Sequence, residues 1–259
     1  MIGRVASIAR HTFKEAVRDK VLYNLIVFAL LLIGAAILFS TISVGIQKII
    51  VLDLGLSSIS VFGLIMAIFI GIGLMAKEIE RRTIYHVLSK PVRRFEFVMG
   101  KYLGLLLTLL INTAIMTAGF YAALFYQTRR FTVEDFAPLA TIYFILLQFA
   151  IVVSLAMFFS TFSTPVLSAV FTFSVYVIGH FLSEMKWLGQ TSGSSVVKGA
   201  AAALYYLLPN FSNFDFITET AHGEKISGLL LTANSLYAVL YVTILLSATI
   251  LIFEARELK

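Results

Sequence analysis

The sequence predicts an all-α integral membrane protein with six transmembrane helices. Three observations carry that prediction. The 259 residues are 59% hydrophobic and only 13% charged, with a mean hydropathy of +0.94, whereas a soluble domain carries about 25% charged residues. Uncharged windows long enough to cross a bilayer recur along the chain. Basic residues gather in alternate segments between those windows. So small a polar complement cannot cover a globule, and lipid must solvate much of the surface.

The first element precedes any span. Val5, Ile8, Ala9, Thr12, Phe13, Ala16 and Val17 recur at i, i+3 and i+4, while Arg10, Lys14 and Arg18 form an opposite stripe at i+4. Residues 4–18 therefore read as an amphipathic helix with one face at the headgroup boundary. A cleaved signal fits poorly, because Glu15 and Asp19 interrupt the basic region and the apolar stretch that follows is of full helix length.

The spans follow from the windows. There are 27 uncharged residues between Lys20 and Lys48, 23 between Asp53 and Lys77, 27 between Lys101 and Arg129, and 28 between Lys225 and Glu254. Each exceeds the roughly 20 residues that cross a hydrocarbon core of about 30 Å. The window between Asp135 and Glu184 holds 48, too many for one tilted helix. It reads as a hairpin broken at Ser160-Thr161-Phe162-Ser163-Thr164-Pro165, where proline suits a first helical turn. The expected spans are about 21–43, 56–76, 102–126, 137–159, 166–183 and 229–253 within a single transmembrane domain, 1–259. Gly63, Ala67 and Gly71 form a small-residue face on the second span, and Gly100 and Gly104 a shorter one opening the third. Either face fits a contact within the chain or a seam between two chains.

Sidedness follows from lysine and arginine. Fourteen lie in the N-terminal segment, the 77–101 loop and the C-terminus, against six in the opposite loops. The positive-inside bias then places both termini and the 77–101 loop in the cytosol, in a multi-pass protein of the cytoplasmic or inner membrane. The net charge of +6 is thus topology plus attraction to membrane lipids, not a nucleic-acid footprint.

Several chemistries are disfavoured. With no cysteine there is neither a disulfide framework nor a thiolate site, and His11, His86, His180 and His222 offer no i, i+4 zinc pair. A lipid-modifying enzyme would need a cluster of acid-base groups at one depth, and the windows contain none. Asn112 and Gln148 lie near the middle of the third and fourth spans. An amide there needs a partner, so they are candidates for lining a pathway or for bonding helices together. The lack of Asp, Glu, Lys or Arg inside the windows argues against ion-coupled transport and for an external energy source. Between Glu184 and Gly228 the longest non-spanning stretch contains a segment, about 196–209, that is too short to cross. It reads as a re-entrant or interfacial helix, with Tyr205 and Tyr206 in an aromatic belt.

The 77–101 loop is the most specific segment. Ile84, Val87 and Leu88 form one apolar patch of a short helix that Pro91 ends, set among Arg81, Arg82, Lys90, Arg93 and Arg94. The order Glu80-x-x-Thr83-x-x-x-x-Leu88-Ser89-Lys90-Pro91-Val92-x-Arg94, closed by Gly100-Lys101-Tyr102, resembles the loop between the second and third spans of ABC-2 type permeases, the membrane subunits of ATP-binding cassette exporters. One departure is Arg82, where the family commonly has glycine. The resemblance implies an N-terminal elbow helix, a cytosolic coupling helix carrying Thr83, Ile84, Val87, Leu88 and Pro91, and an outer segment, with Ala202, Leu204, Tyr205 and Tyr206, that closes the exit. It also implies a separate ATP-binding cassette ATPase subunit and a homodimer or a heterodimer with a related permease. No cofactor is expected in this chain; ATP and Mg belong to the ATPase, consistent with the lack of G-x-x-x-x-G-K-[ST] in the sequence. A non-transport scaffold that uses such an ATPase to drive an extracytoplasmic assembly process is the alternative.

Overall fold

Asp19 closes a short turn by accepting the Val21 amide at 3.0 Å, and from there the chain enters its first long helix. A computed structural model describes residues 2–43, 45–80, 93–130, 132–191 and 194–255. In order they form α1 (Ile2–Ala16), α2 (Lys20–Ile42), α3 (Gln47–Glu80), α4 (Arg94–Thr128), α5 (Pro138–Ser160), α6 (Pro165–His180), α7 (Leu182–Thr191), α8 (Ser195–Leu207), α9 (Ile217–Ala221) and α10 (Gly228–Ala255). Single 3-10 turns cover Val133–Phe136 and Phe211–Phe214, and the described residues contain no strand. Five segments are long and apolar enough to cross a membrane, drawn from α2, α3, α4, α5 and α10. The pair α6 and α7 qualifies as a sixth only when joined across a 55° bend at Phe181.

Local chemistry sets the boundaries. At the end of α5 the hydroxyls of Ser160, Thr161 and Ser163 donate to the carbonyls of Met157, Phe158 and Phe159, and the amides of Thr161 and Ser163 close the last turn onto Phe158 and Phe159. Pro165 then opens α6, as Pro138 opens α5. Arg129 ends α4 in the left-handed region, at φ 56°, with its guanidinium 4.7 Å from the Tyr126 ring centre. Two helices start earlier than the uncharged windows require. α3 begins at Gln47 and runs through Asp53, and α4 begins at Arg94 and carries Glu96 and Lys101. At 1.5 Å per residue, both are about 50 Å long, well beyond a hydrocarbon core.

The core lies between α3 and α5. Their apolar windows are 72% and 67% inside the fold, against 28% for α2 and 22% for α10. The small-residue face of α3 makes this contact possible. The Phe149 ring fills the notch at Gly63, where a Cβ would stand 2.1 Å from its Cζ, and Ala156 fills the next at Gly71. That face is therefore a seam within the chain. At one end of the core, Lys48 reaches Asp135 at 2.7 Å and ties the start of α3 to the turn before α5. The Asp135 carboxylate, 1% exposed, also accepts the Thr132 amide and hydroxyl. A burial this deep is tolerable because both carboxylate oxygens are engaged.

Candidate functional site

At the opposite end from Lys48 and Asp135, α3 leads into residues 81–92 and α4 leads out. Thr83, Ile84, Val87, Leu88 and Pro91 lie outside the described residues. The exit stem is fixed on two sides. Arg94 donates to the carbonyls of Phe253 and Glu254, the latter at 2.9 Å, and so satisfies the last turn of α10 with a cation where the helix dipole favours one. Its guanidinium lies 5.7 Å from the Phe253 ring centre, and Phe97 stacks on the same ring at 6.0 Å.

The second side is α1. Gly100 faces Val5 and Ile8, and Gly104 faces Ala9 and Thr12, so the two helices run side by side in the same direction. The apolar stripe expected at the headgroup boundary is thus seated on α4, because paired glycines let the backbones approach. Charge reinforces the seat. Arg4 lies 3.8 Å from Glu96, and Glu15 lies 3.8 Å from Lys101; Glu96 and Lys101 are both buried. The charges that the sequence placed in a loop are thus helix residues neutralised by another helix. Glu96 also accepts the Arg93 amide at 3.1 Å.

Both mid-span amides are buried in helix packing. Asn112 Nδ2 lies 3.6 Å from Met66 Sδ, linking α4 to α3. Gln148 Nε2 donates to the Tyr176 hydroxyl at 2.9 Å, linking α5 to α6.

Toward the end that carries the bend, α7 and α8 form a helical hairpin. Gly189 meets Ala201 so closely that a Cβ on the glycine would stand 2.6 Å from that of Ala201. Ala202, Leu204 and Tyr205 are half-buried on α8, whereas Tyr206 is exposed. The Lys186 ammonium sits 3.8 Å from the Tyr205 ring centre and 5.4 Å from that of Tyr206. Below the hairpin, His180 Nε2 meets Asp215 Oδ2 at 3.1 Å, and Asn210 bonds Ser183 and Ser212. The His180 imidazole holds the Asp215 carboxyl below its ordinary value, with help from the Ile217 amide and against the opposing effect of burial.

The model of a family described as "ABC-2 family transporter protein" matches residues 6–258, nearly the whole chain. The chain belongs to the ABC-2 transporter family. Comparison with individually curated proteins returns no match. As a member of the ABC-2 family, the chain is a multi-pass membrane permease component of an ABC system, and such a component associates with an ATP-binding cassette ATPase.

For this ABC-2 permease, sequence reasoning missed several residues that organise the molecule. Arg94 was visible as one cation of a basic rim and as a position of the loop pattern, but its capping of α10 depends on a residue 159 positions away. Glu96 and Lys101 appeared as loop charges; the available signal was that they continue the helical phase of Gly100 and Gly104. The Lys48–Asp135 and His180–Asp215 pairs join segments whose proximity no local pattern encodes.

Proposed function

We propose that this ABC-2 family member is the translocating subunit of an exporter, coupled to a separate ATPase through the helix expected at Thr83 to Leu88 and working as a dimer with itself or a related permease. Both termini then face the cytosol of a cell whose cytoplasmic membrane holds the protein, and ATP and Mg are bound on the ATPase. Ile84, Val87 and Leu88 supply the apolar anchors, with Thr83 and Pro91 bounding them. Asn112 and Gln148 border the route when helices part, and Ala202, Leu204, Tyr205 and Tyr206 close its outer end.

The observation that carries this reading is the connection of the 81–92 segment to the rest of the molecule. Its entry stem α3 runs through the core, and its exit stem α4 is tied to α10 by Arg94 and to α1 by two ion pairs. A push delivered at that segment is shared at once by four helices, the requirement for turning an external power stroke into a rearrangement of a membrane domain. No comparable ties are needed by a loop that only connects two spans.

The test is Ile84→Ala combined with Leu88→Ala. Truncating one apolar anchor in a docking pocket costs about 1 to 3 kcal/mol. The double variant is expected to express and remain folded in detergent, to lose the co-purifying ATPase, and to lose ATP-dependent transport. Retention of a fully active ATPase, with loss instead in Phe13→Ala, would move the coupling surface to α1. Intact ATPase coupling without movement of any cargo, together with failure of an external assembly step in cells, would instead favour the scaffold reading.

A further inference from the structure

Three cations stand on α1 and on the turn after it. Arg10 and Lys14 stand exposed on the side of α1 away from α4, Arg18 is exposed in the turn after it, and the three make no ion pair among the described residues. The acids nearest in sequence are already engaged. Glu15 turns to Lys101, and Asp19 caps α2.

The level of this stripe is set by how α1 sits on α4. Arg4 meets Glu96, Ile8 meets Gly100 and Thr12 meets Gly104, and each of these three pairs is 92 positions apart. The same offset puts Leu103 and Leu107, on the neighbouring helix, at the level of His11 and Glu15. Both leucines are exposed, as is Leu110 beyond them. Half-exposed Phe13 on α1 and Val17 in the turn after it follow Arg10 and Lys14 at i+3. One turn past the stripe, α2 exposes Val21 and Tyr23.

Guanidinium and ammonium groups therefore stand on a surface whose neighbours are apolar and, in a multi-pass membrane protein, face acyl chains. A water-soluble protein partner does not reach alongside lipid-facing leucines. A phospholipid does: its phosphate can meet the cations while its chains lie on Phe13, Val17 and Leu103. We propose that Arg10 and Lys14 of α1, with Arg18 of the turn after it, form a binding site for anionic phospholipid, selective for headgroups with net negative charge over zwitterionic ones. It rests on the membrane assignment and not on the identity of the ATPase or cargo. By occupying the stripe, the lipid fixes the level at which the α1–α4 pair meets the headgroup layer.

The test uses the full chain alone in detergent, delipidated and titrated with phosphatidylglycerol or phosphatidylcholine, with bound lipid counted by native mass spectrometry. Each exposed cation at an anionic surface contributes about a fivefold preference. The wild-type chain is expected to hold phosphatidylglycerol in preference to phosphatidylcholine, and the triple variant Arg10→Gln, Lys14→Gln, Arg18→Gln to lose about tenfold or more of that preference. Arg129→Gln with Arg130→Gln, at the other end of α4, should keep it, and inorganic phosphate at equal concentration should not displace the lipid. Should the triple variant not fold, the single Lys14→Glu, measured in the same way, is expected to cut the preference. Equal selectivity in wild type and folded variants would overturn the site. Loss of the ATPase from the triple variant in a separate co-purification, with its lipid preference unchanged, would also overturn the site and make the stripe a protein-docking face.

Discussion

A Cβ added to Gly104 would stand 2.6 Å from the Ala9 carbonyl oxygen, a backbone atom that no rotamer change can move aside. Gly73, by contrast, has nothing within 4 Å of the place its Cβ would occupy. The two positions make a matched pair. Gly104→Val is expected to unseat α1 and lower stability by about 1 to 3 kcal/mol, while Gly73→Ala should be neutral or stabilising by up to about 1 kcal/mol through helix propensity. Thermal unfolding in detergent reads both; a Gly104→Val chain as stable as wild type would mean that α1 does not depend on that seat. The sequence did reveal Gly100 and Gly104 as a place of close approach. It was silent on what approaches, since a glycine records the absence of a side chain and nothing about the neighbour that exploits it.

Among elements, the bend between α6 and α7 shows most plainly where local pattern ends. The break between α5 and α6 was legible because Ser160, Thr161, Ser163 and Pro165 encode it within six residues. Nothing comparable marks Phe181, and there the chain turns 55° into a hairpin held by His180 with Asp215 and by Asn210 with Ser183. The His180–Asp215 contact predicts an acid sensitivity. Asp215 has a depressed folded value relative to the ordinary aspartate value near 3.9. Its contribution is thus complete above about pH 4 and fades as pH falls through the folded value. Wild type should exceed Asp215→Asn in Tm at pH 6, and the gap should narrow as pH falls below about 4. A constant gap over that range would exclude the carboxylate as its source. The helix starts at Gln47 and Arg94 were illegible for a related reason: a charge reads as a boundary until its partner is known, and Arg4, Glu15 and Arg94's carbonyl acceptors come from distant segments.

For the whole molecule, the expected class, an all-helical membrane protein of the ABC-2 family, was carried by composition and by one loop, features that survive averaging over many residues. The arrangement of α3 and α5 as the core, with α2 and α10 peripheral, was not, because all four contain apolar windows of similar hydropathy and only their packing partners distinguish them. The proposed motion can be followed without background, because the chain has no cysteine. Single thiols introduced by Ala202→Cys and Leu204→Cys should differ in labelling by a water-soluble maleimide between nucleotide-free and ATP-trapped complexes. Identical labelling in both states would leave α8 a static surface helix rather than a gate.

The fixed offset between α1 and α4 also dictates an order of events at the ribosome. α1 is made first, yet its seat at Glu96, Gly100 and Gly104 emerges some 92 residues later, about 5 to 20 s at ordinary synthesis rates. Throughout that interval the cationic, amphipathic segment has no protein surface to cover its apolar face, and the nascent chain must hold it at the lipid boundary or in a chaperone. Nascent chains arrested before and after residue 104 should therefore differ sharply in how readily α1 is cut by protease, the longer ones being protected.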